Sequence, residues 1–126
     1  MAKRTVTADQ AYAAVRRAGE VDPAVLTRPE TADLVRTTLL WLAQVQPGRS
    51  VEIRVPPFAA VQAVEGLRHT RGTPPNVVET DAATWLALVS GRTTWAAARD
   101  AGRVSASGTR ADLAAFLPLR TGVTSS

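Results

Sequence analysis

Residues 80–117 constrain the fold most, because helix and turn signals follow one another through this stretch almost without a gap. Asp81 is a typical helix N-cap, and Gly91 stands where a left-handed residue would end that helix. The stretch also contains two of the three tryptophans, Trp85 and Trp95. Side chains of this size dominate whatever core or cavity they line. No catalytic constellation accompanies them, so the stretch predicts architecture and an apolar interior rather than chemistry.

The rest of the chain adds two helices and a run of strands. Thr7 and Gln10 form a capping-box pattern, and apolar residues three and four positions apart before Pro47 indicate a longer amphipathic helix. Alternating apolar and polar residues then indicate strands. The predicted order is helices over residues 8–17 and 30–45, strands over 51–55, 60–67 and 77–80, helices over 82–90 and 95–101, a strand over 103–107, and a last helix ending at 116.

This order predicts an α+β fold: an antiparallel or mixed sheet of about four to five strands with helices packed on one face. We expect a single domain over residues 1–126, with N-terminal helices in 1–46, the sheet and its covering helices in 47–119, and a flexible tail in 120–126. Gly66, inside the second predicted strand, suggests a bulge or a close backbone approach.

Composition bounds the compartment and the partners. The chain is 45% hydrophobic and 21% charged, the balance of a soluble globular protein. Its longest apolar runs, such as residues 39–43, are far too short to span a bilayer, and no secretory signal is visible. We therefore expect a cytoplasmic protein with no stable membrane insertion.

Charge and metal-ligating residues exclude further classes. All but one of the fifteen basic residues are arginines, the net charge is only +4, and the arginines are spread along the chain, so we expect no nucleic-acid partner. There is no cysteine and only one histidine, and the acids are scattered. We accordingly expect no disulfide, no metal site and no cofactor. Heavy use of arginine and alanine is typical of a GC-rich bacterial genome.

The densest polar motif is the segment 68–76, in which Arg68 and Arg71 flank His69. Arginines present planar forks of donors, so this segment could clamp a carboxylate or a phosphate. The alternative is a basic loop that braces the sheet and pairs with nearby glutamates. An enzyme using His69 as a general base is a weaker option, because nothing near it in sequence orients it or supplies a nucleophile. We expect a protein that is not an enzyme.

The tryptophans also leave two interpretations open. Tryptophan side chains fill a core more often than they line a binding pocket, and this general tendency applies to Trp41, Trp85 and Trp95. They stand, however, on helices predicted to cover a small, alanine-rich sheet. Small residues facing large ones can leave room for a ligand as easily as they fill it.

One resemblance brings these features together. A three-strand meander, then Asp81, Trp85-Leu86, Gly91 and Trp95, then the run 102–108 leading into a Leu113-containing helix, resembles the sterol carrier protein-like superfamily. More narrowly, it is similar to the small stand-alone actinobacterial "sterol carrier family" proteins. The resemblance covers about residues 51–119. It implies a mixed sheet with helices on one face, an apolar tunnel between them, and binding or transfer of sterols, fatty acyl groups or other lipids.

These observations predict non-enzymatic binding or carriage of a small hydrophobic or amphipathic ligand between sheet and helices. The predicted site consists of Trp41, Trp85 and Trp95, with Val61, Leu67, Leu88 and Phe116 as walls and Arg68, His69 and Arg71 at the mouth. The alternative is a structural or regulatory interaction module with a collapsed pocket. Such a module would act through the segment 68–76 or through the interface of a homo-oligomer.

Overall fold

The computed structural model describes residues 4–66 and 76–123, and this part of the chain contains one four-stranded sheet. The sheet order is β2-β1-β3-β4. β1 pairs antiparallel with β2 and parallel with β3, and β3 pairs antiparallel with β4. The strands are β1 (Val51–Val55), β2 (Ala59–Ala63), β3 (Asn76–Thr80) and β4 (Val104–Ser107). The sheet is therefore mixed, and the expected meander is wrong in one respect: the third strand pairs with the first, not with the second.

Four α-helices and two single 3₁₀ turns complete the described residues. Thr7 and Gln10 form both bonds of the capping box of α1, and Asp81 accepts from the backbone N–H of Thr84 at the start of α3. Gly91 ends α3 in the left-handed conformation, with φ of 81°. The helices are α1 (Ala8–Glu20), α2 (Arg28–Val45), α3 (Ala82–Ser90) and α4 (Trp95–Asp100), and the turns are Pro23–Val25 and Ala114–Phe116.

The two faces of the sheet differ in polarity. In β1 the side chains of Val51, Ile53 and Val55 are buried, whereas Arg54 between them is exposed. Ile53 lies opposite Val61 in β2 on one side and opposite Val78 in β3 on the other, so these apolar side chains share the buried face. The helices cover that face, which confirms the expected α+β architecture.

The second strand is shorter than predicted. It ends at Ala63, because Val64 adopts a positive φ of 69° and turns its N–H away from β1 to the carbonyl of Gln46, at 2.7 Å. A β-branched residue rarely takes this conformation, so it marks an enforced turn. Gly66 consequently lies beyond the strand, so the predicted bulge is wrong. The other alternative, a close approach, is confirmed, because a Cβ on Gly66 would lie 2.6 Å from Oγ of Ser50.

The predicted last helix is also wrong, because only the turn Ala114–Phe116 forms there. The carboxylate of Asp112 accepts from the N–H of Ala114 two residues on, which is a local turn rather than a helix cap. Leu113 is fully buried in the core, and the N–H of Leu119 donates to the carbonyl of Val89 at 3.0 Å. The burial of Leu113 and the hydrogen bond of Leu119 to α3 fix this segment along an irregular path.

Candidate ligand-binding site

Two of the predicted site residues lie deep in the core. Trp85 is 0% exposed and Leu88 is 1% exposed. The indole N–H of Trp85 donates to the hydroxyl of Thr38 on α2, at 2.9 Å. Both side chains belong to the core cluster, which also contains residues of α2 and of the sheet.

An open groove lies instead along one edge of the same layer, between α2 and the terminal strand β2. It has a volume of about 470 Å³. Its apolar wall is formed by Leu40 and Ala43 of α2 and by Val61 of β2. Val61 is half-buried because it points to the helix-covered face but stands on the last strand of the described sheet. The groove therefore joins one predicted site residue to two that were not predicted.

The rim of the groove is polar and positively charged. Arg4, Gln44, Arg49 and Gln62 contribute to its lining. Arg4 is brought there because the side chain of Gln44 bonds both backbone groups of Val6, accepting from its N–H at 2.6 Å and donating to its carbonyl at 2.8 Å. The guanidinium of Arg4 lies 3.7 Å from the exposed carboxylate of Asp33, a solvent-screened contact.

A glycine closes one end of the groove. Gly48 has φ of 148°, and a Cβ on it would lie 2.2 Å from the carbonyl oxygen of Val64. Only glycine allows the connection after α2 to pass this close to the end of β2. Gly48 thus sets the separation of helix and strand at this end.

The other predicted residues are distributed around the core. Trp41 packs against it and donates its indole N–H to the carbonyl of Arg120 at 2.9 Å, and Phe116 is partly buried beside it. Trp95 is 6% exposed and lines a separate cleft near the C-terminal segment. The predicted mouth residues Arg68, His69 and Arg71, and the predicted wall residue Leu67, lie outside the described residues.

Sequence reasoning missed Leu40 and Ala43, although a signal for them was present. The core side of α2 is formed by Leu39 and Leu42, which are fully buried. Leu40 and Ala43 each follow one of them and continue the apolar stripe around the flank of the helix. A stripe wider than one packed face needs indicates a second apolar contact.

The described part of the chain contains neither a metal-binding cluster of side chains nor a membrane-spanning helix. Residues 4–66 and 76–123 contain no group of three or more histidine, cysteine or acidic side chains that could hold a metal ion. None of the helices described is both long and apolar enough to cross a bilayer.

The α+β architecture of these elements is consistent with a comparison to known families. The model of a family described as "Bacterial SCP ortholog" matches residues 27–119, which span α2, the sheet, α3 and α4. The chain belongs to this sterol carrier protein-like family. Comparison with curated proteins gives no match.

The match covers part of the chain, from the start of α2 to the C-terminal segment. The matched residues include both walls of the groove, from Leu40 to Val61, whereas α1 and Arg4 precede them. The apolar walls therefore lie inside the matched region, and Arg4 of the rim lies before it.

Proposed function

We propose that this protein binds and carries a small hydrophobic or amphipathic ligand, of lipid or fatty acyl type, in the groove between α2 and β2. The observation that carries the proposal is the groove itself. It is of the size of ordinary small-molecule sites and has apolar walls from Leu40, Ala43 and Val61. Membership of the sterol carrier protein-like family supports this class of ligand.

The energetics of an alkyl chain favour such a surface. Each methylene removed from water contributes roughly 0.8 kcal/mol, and only the surplus over the cost of association appears as affinity. An open groove removes part of the chain from water, which suits a carrier that must release its ligand as well as hold it.

The rim favours a ligand with an anionic end. Arg4 and Arg49 are the charged residues among those that line the groove, and both are cationic. A carboxylate or phosphate accepts charge-assisted hydrogen bonds from guanidinium groups. Of the eight described lining residues, none is an acid, a histidine or a hydroxyl residue, so the groove holds a ligand without offering a general base or nucleophile. This supports a non-enzymatic role.

Titration with dodecanoate, followed by ¹H–¹⁵N correlation spectra, tests the proposal. We expect saturable shifts at the amides of Leu40, Ala43 and Val61. Val61→Gln puts an amide on the apolar wall and should weaken binding about tenfold, the equivalent of about 1.4 kcal/mol. Ala60→Gln is the matched control, because Ala60 is exposed on the opposite face of the same strand.

The headgroup is tested with dodecanol, which has the same chain length and no charge. Dodecanoate should bind more tightly than dodecanol, and Arg4→Gln should reduce that difference. Absence of saturable shifts at the groove amides, or equal weakening by Val61→Gln and Ala60→Gln, would overturn the proposal.

A second function, an interaction module that assembles with itself, is favoured by one observation. β2 is the terminal strand of the described sheet, and its sequence from Ala59 to Ala63 carries neither a charge nor a proline. Such strands are open to pairing with a further strand. Sedimentation velocity over a wide range of concentrations separates the two functions. A concentration-dependent dimer, together with no binding of dodecanoate, would favour the interaction module.

A further inference from the structure

A second cleft, distinct from the groove, lies between the start of α4 and the C-terminal segment. Its volume is about 370 Å³. One wall is formed by the turn after α3 and the first residues of α4, including Thr93, Thr94 and Trp95, and the other by Ala114, Leu117 and Pro118. The groove between α2 and β2 shares none of these residues.

The unusual feature of this cleft is the indole of Trp95. Trp95 is only 6% exposed. Its indole Nε1 is buried without a hydrogen-bond partner among the described residues. The other two tryptophans donate to oxygen atoms, Trp41 to Arg120 and Trp85 to Thr38, each at 2.9 Å. A buried donor left without an acceptor is costly, so an acceptor supplied from outside gains more here than it would at the surface.

The other residues that line the cleft indicate which kind of molecule could supply that acceptor. None of the lining residues that the structure describes is ionisable, and most are apolar. The hydroxyl oxygen of Thr94 already accepts from the N–H of Ala97, at 3.1 Å, so its own proton is available as a second donor. A cleft with donors and no charge suits a neutral, largely apolar molecule with an acceptor oxygen.

The C-terminal wall is held at its two ends and irregular between them. Leu113 is fully buried, and Leu119 is fixed by its bond to the carbonyl of Val89. Between these anchors, Ala114–Phe116 forms a single 3₁₀ turn and Ala114 is exposed. Because Nε1 of Trp95 is buried, a ligand reaches it only if a lining residue shifts, and this short segment is the irregular part of the wall.

We infer that this cleft is a second ligand site, which takes a neutral, mainly apolar molecule and receives its carbonyl oxygen on the indole N–H of Trp95. The inference stands independently of the proposed carriage of an amphipathic ligand, because neither the residues nor the preferred charge are shared.

Acetophenone and benzamide, each with one carbonyl on an aromatic ring, are suitable probes. Three indole N–H signals are expected in the ¹H–¹⁵N spectrum, and Trp95→Phe assigns one of them by its loss. Titration of the wild-type chain should move the Trp95 signal downfield in a saturable way and leave the Trp85 signal in place. Trp95→Phe, which keeps most of the ring and loses the donor, should weaken binding about fivefold, as expected for one hydrogen bond.

Two further variants keep the result decisive. Ala114→Leu, at an exposed position of the wall, should fill the cleft and abolish the shift, whereas Trp41→Phe should leave the affinity for acetophenone unchanged. The inference is overturned if neither probe gives a saturable shift of the Trp95 signal, if Trp95→Phe binds them as tightly as the wild type, or if the shifts fall on Leu40 and Val61 in the groove instead.

Discussion

The indole N–H of Trp85 and the hydroxyl of Thr38 form a 2.9 Å hydrogen bond in the core, joining α3 to α2 across 47 residues of sequence. The same hydroxyl donates to the carbonyl of Leu34 at 2.7 Å. The hydroxyl of Thr38 therefore accepts a hydrogen bond from α3 and donates one to the backbone of its own helix, α2. This pairing allows the largest side chain of the core to be buried with its polar atom satisfied.

Thr38→Val should destabilise the fold, because valine matches the shape of threonine and leaves the N–H of Trp85 without an acceptor. The expected loss is about 1–3 kcal/mol in the free energy of unfolding, measured by urea denaturation. Thr38→Ser keeps the hydroxyl and should lose less. No loss for Thr38→Val together with a loss for Thr38→Ser would show that the methyl group of Thr38, rather than its hydrogen bond, stabilises this contact.

Gly108→Ala should destabilise the fold more than Gly102→Ala. Both glycines have positive φ, 99° and 73°, but a Cβ on Gly108 would lie 2.2 Å from Oδ1 of Asn76, whereas a Cβ on Gly102 has no atom within 4 Å. The amide of Asn76 links the carbonyl of Ser50 to the N–H of Arg110 and so ties β1 to the turn after β4. We expect about 1–2 kcal/mol for Gly102→Ala and about 3 kcal/mol for Gly108→Ala, since overpacking adds to the backbone strain. Similar losses in urea denaturation would contradict a role for the close approach to Asn76.

The carboxyl of Glu30 should have a pKa below its ordinary value. The guanidinium of Arg17, 3.0 Å away, lowers the pKa of this carboxyl from 4.5 by a hydrogen bond, and the backbone of Thr27 adds to the effect. Because the folded pKa is depressed, the contribution to stability is complete above pH 4.5 and is lost as the pH falls through the lowered pKa. A carbon-detected NMR titration of the Glu30 carboxyl should give a midpoint below 4.5.

Arg17→Ala should raise that midpoint toward the ordinary value, since the hydrogen bond is its largest cause. Arg16→Ala is the control, because Arg16 pairs with Glu20 on the same helix and makes no contact with Glu30. If Arg17→Ala left the midpoint unchanged, the contact between Arg17 of α1 and Glu30 of α2 would not be the cause of the lowered pKa.

Ala43→Leu should block the groove between α2 and β2. Ala43 forms part of the apolar wall and is half-buried, so a larger side chain occupies the space of the ligand without entering the core. We expect the affinity for dodecanoate to fall about tenfold, about 1.4 kcal/mol, with little change in the free energy of unfolding. Isothermal titration calorimetry measures the first and urea denaturation the second. Ala60→Leu, on the exposed face of β2, should leave the affinity as it is; a loss of the same size there would place the ligand elsewhere.

Local signals in the sequence predicted most of the elements. The helices begin and end close to their predicted positions, because Thr7, Asp81 and Gly91 satisfy or terminate helix ends through contacts only a few residues away. Strand β1 was predicted with its observed bounds, since Val51, Ile53 and Val55 alternate with polar residues and one face is buried.

The errors at the end of β2 and in the last predicted helix arose where distant contacts outweigh local preference. The bond from the N–H of Val64 to Gln46 ends β2 early, and burial of Leu113 replaces the predicted last helix with a turn. Gln46 is distant in sequence from Val64, and the core that buries Leu113 is built from elements earlier in the chain.

The sequence by itself determined the helices, the alternating strands and the family, because caps, periodicity and spacing act over a few residues. Only the tertiary structure decided that β3 lies parallel to β1, that Trp85 is enclosed in the core, and that the open apolar surface lies between Ala43 and Val61. Those features depend on which distant segments pack together, and that choice is made by the burial of the whole apolar face at once.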